Sequence, residues 1–236
     1  AALISEKGSI EWLCFPNFDS PSIFAALLDR EKGGTFGFEV SEDYHTIQSY
    51  VPHTNILSTT FVSEQDEFAV VDFMPCYELY DNKEYYRPAE VYRYIHWIKG
   101  RPRIKVNYHP APDYARGKAF FNVTSRYIET YSSSNNKDRQ YLYSSLPLQG
   151  IVDHQEFILE QDEFGLYSCY TISFADEEYA EIVYNAFTNK KLLEELYLKS
   201  VECHGDYEGN LGYLLCINNY DLLNKILEKD RYNHTG

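Results

Sequence analysis

Apolar and polar side chains alternate along much of the first three quarters of this 236-residue chain. The alternation is clearest over 91–98 and over 103–108, where Ile104 and Val106 lie between charged or polar neighbours. A period of two residues is typical of a strand with one buried face. Strand-length segments recur between turn-forming residues, at 1–5, 9–15, 35–40, 46–51, 56–63, 67–73, 90–99, 103–108, 119–123, 127–131, 140–144, 150–159 and 165–174. Roughly a dozen strands without intervening helices predict a mainly β fold, an antiparallel sandwich or barrel.

The stretch from residue 8 to residue 28 departs from simple alternation. Gly8 lies between the first two predicted strands and supplies the positive φ that a tight hairpin turn needs. Pro16 and Pro21 bracket a corner, since proline cannot donate to a sheet ladder. The apolar residues of 23–28 then predict a short helix, which a glycine pair closes.

The period lengthens near Asp176. Apolar residues fall on helical spacing as far as about Lys199, and again over 221–229. The sequence therefore predicts two regions, a β-sandwich domain over 1–175 and a helical linker or tail over 176–236.

Charge excludes two classes of partner. The chain has 21 basic and 36 acidic residues, a net charge of −15, and no cluster of Lys and Arg. Phosphate backbones and anionic membrane surfaces both attract clustered basic side chains, so neither nucleic acid nor a membrane is an expected partner.

The five cysteines are odd in number and widely spaced, and no CxxC pair occurs. This pattern favours buried free thiols in a reducing compartment, and hence a cytoplasmic location, over a disulfide framework or a zinc site.

Motifs for catalysis or cofactor binding are not evident. The histidines do not cluster, and the sequence contains no HExxH, GxSxG, GxxxxGK[ST] or strand–GxGxxG–helix pattern. Neighbouring acids occur at 66–67, 78 and 81, 162–163 and 177–178, but glycosidic cleavage needs two carboxylates facing each other across a substrate. Sequence neighbours do not establish that geometry, and solvated loop acids are the expected interpretation. No catalytic residue, metal ligand or cofactor is therefore predicted.

Aromatic residues leave one alternative open. The chain has 23 tyrosines, among them Tyr77, Tyr80, Tyr85 and Tyr86, and tyrosine rings can stack on the apolar faces of sugars. Aromatic side chains in a sandwich more often pack in the core or at an interface, which is the preferred interpretation here. The two tryptophans, Trp12 and Trp97, are expected in the core.

Four blocks resemble one known family, in the order in which that family has them. They are Gly8-Ser9-Ile10-Glu11-Trp12-Leu13-Cys14-x-Pro16-x-Phe18-Asp19-Ser20-Pro21-Ser22-x-Phe24-Ala25-x-Leu27-Leu28, then Tyr50-x-Pro52-x-Thr54-Asn55-Ile56-Leu57-x-Thr59, then Asp72-Phe73-Met74-Pro75, then Arg93, Gly100, Val106, Pro110 and Asp113-Tyr114-x-Arg116. The chain thereby resembles, over about residues 1–175, the trehalase-like N-terminal domain. That domain precedes the catalytic barrel in prokaryotic glucoamylase, glucodextranase and trehalase-type enzymes of glycoside hydrolase family 15.

The resemblance implies an antiparallel β-supersandwich whose partner is an (α/α)6 barrel that supplies the catalytic acid and base. No stretch after residue 176 resembles that barrel, so the resemblance implies a non-catalytic domain of an enzyme acting on α-glucosides. Residues expected at the domain interface or the active-site rim are Phe18, Asp19, Tyr77 and Tyr80. The alternative is a stand-alone carbohydrate-binding sandwich for α-glucans. A third hypothesis, an independent sandwich enzyme of the mutarotase type, needs a histidine and a carboxylate in one cleft.

Overall fold

The computed structural model describes residues 2–52, 54–74, 89–134 and 139–160 with their side chains, and the backbone alone of 77–78, 85–86 and 169–176. In chain order the elements are β1 (Ala2–Ile4), β2 (Ile10–Cys14), β3 (Ser22–Phe24), β4 (Thr35–Glu39), β5 (His45–Tyr50), β6 (Leu57–Val62), β7 (Glu67–Phe73), β8 (Tyr77–Glu78), β9 (Tyr85–Tyr86), β10 (Glu90–Lys99), β11 (Arg103–His109), β12 (Ala119–Val123), β13 (Ile128–Ser132), β14 (Gln140–Ser144), α1 (Leu148–Val152), β15 (Glu156–Ile158) and β16 (Cys169–Asp176). The predicted mainly β, antiparallel fold is confirmed. The predicted helices beyond Asp176 lie outside the described residues.

Two antiparallel sheets form the body of the protein. The first sheet has the order β1–β2–β4–β11–β15, with β3 also paired to β2. The second sheet has the order β12–β13–β14–β16–β10–β7–β6–β5. β8 and β9 form a separate two-stranded ladder. Seven of the thirteen strand pairs described join strands that are neighbours in sequence, so the hairpin pattern explains about half of the pairing. The other six pairs, among them β7–β10, β10–β16 and β4–β11, join strands that are not neighbours in sequence.

One apolar core lies between the two sheets. It contains Ile10, Phe24, Phe36 and Val106 from the first sheet and Phe61, Phe68, Ile95 and Ile128 from the second. Each of these fully buried side chains stabilises the fold by roughly 1.5–3 kcal/mol relative to exposure. Trp97 packs against this core, as predicted. Trp12 instead pairs with the half-exposed Leu3, on the outer face of the first sheet, so its predicted core position is wrong.

The helix predicted over 23–28 is wrong. Ser22–Phe24 is a strand, in which Phe24 pairs with Leu13 of β2. On its other side, the Ala111 N–H donates to the Ile23 carbonyl at 2.8 Å. Six residues form little helix by themselves, because the first helical turn is costly to nucleate. Hydrogen bonds to two neighbouring chain segments therefore decide the conformation.

The strand predicted over 150–159 is correct only at its end. Leu148–Val152 is a single helical turn that follows Pro147, and the strand begins at Glu156. Between them, His154 has φ +52°, a left-handed conformation that no strand continues through. The chain reverses here so that Gly150 packs against Phe157; an added Cβ at Gly150 would approach that ring to 2.9 Å.

Arg93 joins the two sheets. This fully buried side chain of β10 donates from Nε to Asp72 Oδ1 at 2.7 Å and from a terminal nitrogen to Asp72 Oδ2 at 3.1 Å. The guanidinium also donates across the inter-sheet space to the carbonyls of Gly8 and Phe36, and it lies 4.9 Å from the ring of Phe38. A buried charge is tolerated only when it is paired and hydrogen-bonded, and Arg93 has both kinds of partner.

Gly8 adopts the left-handed conformation with φ +71° in the β1–β2 turn, which brings its carbonyl to Arg93. A side chain here would also crowd Phe61 of the second sheet, because an added Cβ would lie 3.1 Å from that ring. Glycine is therefore required at this position for two independent reasons.

We expect Arg93→Met to lower the free energy of unfolding by about 3–5 kcal/mol, because the Asp72 carboxylate would stay buried without its cation. Adding Asp72→Leu should restore part of that loss, since no unpaired charge would then remain. Urea unfolding of the wild type, both single variants and the double variant at pH 7 measures the coupling. Strictly additive losses would show that the pair does not act as a unit.

Two imidazoles meet beside the outer face of the first sheet. The ring centroids of His109 and His154 are 4.8 Å apart. Burial and the neighbouring His154 lower the pKa of His109, and Glu39 partly opposes that effect. Burial likewise lowers the pKa of His96. The folded protein therefore favours the neutral form of both side chains.

Protonation of His109 should destabilise the fold as the pH falls. A folded pKa below the unfolded value of about 6.5 means that stability present above pH 6.5 is lost as acid is added. We expect the fall in melting temperature between pH 7.5 and pH 5.5 to be smaller in His109→Gln than in the wild type. His45→Gln, on the exposed edge strand β5, is the control and should retain the full fall. An unchanged fall in His109→Gln would contradict this assignment.

Candidate functional site

A cavity of about 460 Å³ opens at one corner of the sandwich. The inner face of the second sheet forms one wall and β1 of the first sheet forms the other. The lining residues with polar or aromatic side chains are Gln48, Tyr50, Asn55, Asp72 and Phe73. Cavities of roughly 300–1,000 Å³ with a few convergent polar groups are the usual form of small-molecule sites.

Strand register explains why these residues meet. Tyr50 of β5 pairs with Leu57 of β6, and Leu57 pairs with Asp72 of β7, so all three face the same side of the sheet. Leu57 and Val91 complete the apolar part of the wall. The opposite wall is the three-residue strand β1. The inner face of the second sheet thus ends at a space that core side chains do not fill.

Gln48 links the two walls. Its side-chain amide donates to the Ser5 carbonyl at 3.0 Å and to Thr59 Oγ1 at 2.9 Å. Ser5 follows β1 of the first sheet, whereas Thr59 is a fully buried residue of β6. This bridge ties the segment after β1 to β5 and β6 at this corner of the sandwich.

Asp72 is the ionisable group deepest in the cavity wall. It is buried, and burial raises its pKa while the Arg93 guanidinium opposes that rise. At the mouth, Tyr50 is 63% exposed and Asn55 is also exposed. The site therefore combines a paired carboxylate inside with two neutral polar groups outside.

The blocks that carry the family resemblance converge on this corner. The Arg93 contacts account for Gly8 and Asp72. They do not account for Tyr50 and Asn55, which line the cavity mouth and take no part in that ion pair. In the sequence these residues are part of a family signature, but no local pattern places them in one cavity. Only their occurrence within the same blocks could have indicated it.

The four residues expected at an interface or rim are placed unevenly. Phe18 and Asp19 lie in the corner between β2 and β3, and both are exposed, Phe18 to 82%. The corner is ordered by Ser20, whose Oγ accepts the Asn17 N–H at 3.1 Å. Tyr77 is described only by its backbone in β8, and Tyr80 lies outside the described residues. The structure therefore does not test whether the four residues share a surface.

A left-handed turn that the sequence pattern does not predict lies next to that corner. Asp113, Tyr114 and Ala115 have φ of +58°, +55° and +58°, which costs about 1–2 kcal/mol per residue. Two contacts offset the strain: the Tyr114 N–H donates to the Ser22 carbonyl at 3.3 Å, and Ser134 Oγ donates to Asp113 Oδ2 at 2.8 Å. The turn therefore joins β3 of the first sheet to the end of β13 in the second.

The part of the chain that the structure describes contains no cluster of side chains suited to bind a metal ion. Within it, no group of three His, Cys, Asp or Glu side chains could hold a metal ion, and no described histidine lines the cavity. Asp66, from the neighbouring acids noted above, accepts the Arg101 N–H at 2.8 Å and fixes a turn. The side chains of 78, 81, 162–163 and 177–178 lie outside the described residues.

Cys14 is a free thiol and is buried, as expected, and burial raises its pKa. The side chains of the other four cysteines are outside the described part of the chain. Among the described helices, none has the length and apolar character needed to cross a bilayer.

Comparison with known proteins gives consistent relatives. The chain is 30% identical to a trehalase of Thermoplasma acidophilum over 157 residues, which are 64% of this chain and 26% of that protein. It is 50% identical to trehalase 1 of Sulfolobus acidocaldarius over 72 residues, which are 30% of this chain and 12% of that protein. It is 30% identical to a trehalase of Mycobacterium tuberculosis over 151 residues, which are 57% of this chain and 22% of that protein.

The chain thus spans about a quarter or less of the length of each of these trehalases. No solved structure matches it significantly. The sequence model of the family described as "Trehalase-like, N-terminal" matches residues 1–136, which is more than half of the chain. The protein therefore belongs to the family of trehalase-like N-terminal domains.

Proposed function

We propose that this chain is the non-catalytic N-terminal domain of a glycoside hydrolase that acts on α-glucosides, and that it packs against a catalytic (α/α)6 barrel and stabilises it. The observation that carries the proposal is the family match over residues 1–136, together with relatives named trehalase that are about four times longer than the matched part or more. A domain that accounts for so small a share of a hydrolase leaves ample length for a separate catalytic unit.

An exposed aromatic side chain supports packing against a second domain. Phe18 is the most exposed of the large apolar side chains described, yet the corner that carries it is held by hydrogen bonds on both sides. An ordered, exposed aromatic side chain is typical of residues that bury on association. We assign Phe18 and Asp19 to the interface with the catalytic domain, and Tyr77 and Tyr80 to the same interface or to the active-site rim.

A second candidate function is the binding of an α-glucan by the sandwich itself. The tyrosines that suggested it, Tyr77, Tyr80, Tyr85 and Tyr86, have no described side chains. The observation that favours it is a different one, the cavity with Tyr50 at its mouth.

The purified 236-residue chain should release no glucose from trehalose or maltose. The physical reason is that the cavity described above has a single acidic residue in its lining, Asp72, whereas glycosidic cleavage needs two carboxylates that face each other across the substrate. A coupled glucose assay, with a mock purification as background, measures this. Turnover by the pure chain above that background would refute the non-catalytic assignment.

Phe18→Ser should weaken the parent two-domain protein without affecting the isolated domain. Because the side chain is 82% exposed, the isolated chain should change by no more than about 0.5 kcal/mol in the free energy of unfolding. In the parent protein the melting temperature should fall, since a buried interface contact is lost.

Ile47→Ser is the matched control for that substitution. Ile47 is 57% exposed and lies on the face of β5 opposite to Gln48 and Tyr50. Its substitution should change the stability of neither the isolated chain nor the parent protein. Equal effects of Phe18→Ser and Ile47→Ser in the parent protein would show that the corner is not the interface.

A further inference from the structure

We propose that the cavity between β1 and the inner face of the second sheet binds one neutral sugar residue of hexose size. This inference rests on the second candidate function and names its site and ligand, whereas it is independent of packing against a catalytic domain. The carrying observation is the convergence of Gln48, Tyr50, Asn55 and Asp72 on one cavity of about 460 Å³.

Size limits the occupant. A volume of about 460 Å³ lies in the lower half of the range of roughly 300–1,000 Å³ found for small-molecule sites. A hexose, with roughly twelve non-hydrogen atoms, fits such a space with some water left, whereas a long glucan can place only one or two units in it. Chain ends or free sugars are therefore the expected ligands.

Charge excludes ionic ligands. Asp72 is the only carboxylate in the lining, and both of its oxygens accept hydrogen bonds from the buried Arg93. The pair is neutral as a whole, so the cavity offers no unpaired cation for a phosphate or carboxylate. A cationic ligand would compete with Arg93 for a carboxylate that is already paired. A neutral ligand remains.

The mixture of surfaces matches a pyranose ring. The side-chain amide of Asn55 can both donate and accept, as sugar hydroxyls do. Gln48 offers its Oε1 as an acceptor, because its NH2 group already donates to Ser5 and Thr59. Tyr50 offers apolar ring surface to the C–H face of a sugar. A purely apolar ligand would instead bury the amides without partners, which is costly.

Structural roles do not explain the mouth of the cavity. Asp72 and Gln48 are held by bonds that stabilise the fold. Tyr50, by contrast, is 63% exposed, and the side chain of Asn55 makes no hydrogen bond within the described residues. Neither side chain contributes to the core, so the fold alone does not require an aromatic ring and an amide at these positions.

The experiment is a titration of the full 236-residue chain with glucose, trehalose, maltose and maltotriose, followed by saturation-transfer NMR and by calorimetry. A ligand this small should bind with a dissociation constant on the order of 1 mM. Tyr50→Ala and Asn55→Ala should each weaken binding of the sugar unit about 10-fold or more. Tyr114→Ala is the matched control, because Tyr114 is an exposed tyrosine on the left-handed turn, outside the cavity lining. This variant should bind the sugars as the wild type does.

The melting temperature of each of the three variants tests whether it is folded. We expect all three to match the wild type, because all three side chains are exposed. Saturable binding of glucose that is lost in both cavity variants and kept in Tyr114→Ala would support the site. Binding of maltotriose that both cavity variants retain would overturn the site and leave the second candidate function standing. Absence of saturable binding of every sugar would overturn both. None of these outcomes bears on the packing proposal, which is tested separately by the effect of Phe18→Ser on the parent protein.

Discussion

The buried Arg93–Asp72 pair is the interaction on which the rest of the structure depends. Its guanidinium donates to a carboxylate of the second sheet and to two carbonyls of the first, including that of Gly8 in the β1–β2 turn. Apolar packing between sheets is non-directional, so it fixes the distance between them more than the position of one sheet along the other. Hydrogen bonds from one rigid, planar group to both sheets add the missing direction. Arg93 therefore orients the sheets, whereas Phe61, Phe68 and their neighbours supply most of the stabilisation.

A polar cavity lies beside this pair at one corner of the sandwich. Asp72 is paired with Arg93, and the residue opposite it on β6 is the aliphatic Leu57. The other polar contacts at this corner are those that Gln48 makes to Thr59 and to the Ser5 carbonyl. With β1 only three residues long, this polar corner stays open. The ion pair and the cavity share Asp72, and the family signature includes residues of both.

The outer surface has one well-supported exposed corner. At the corner between β2 and β3, Phe18 is presented to solvent by an ordered loop, and the strained turn at Asp113–Ala115 braces β3 against the second sheet. Backbone strain of this kind persists only where surrounding contacts over-determine it. A braced, exposed corner suits a domain whose proposed role is to pack against a larger catalytic unit.

The sequence by itself determined the strands, because alternation is a local property: Glu67–Phe73, Glu90–Lys99, Ala119–Val123 and Gln140–Ser144 begin and end where the pattern predicts. It also determined the family, through blocks whose order is visible in one dimension. Tertiary structure decided the rest. Ser22–Phe24 became a strand because β2 and Ala111 supply hydrogen bonds that no short helix can match, and Trp12 faces outward because of its register with β1. The cavity is entirely tertiary, since Tyr50, Asn55 and Asp72 meet only when three strands pair and a fourth crosses them from the other sheet.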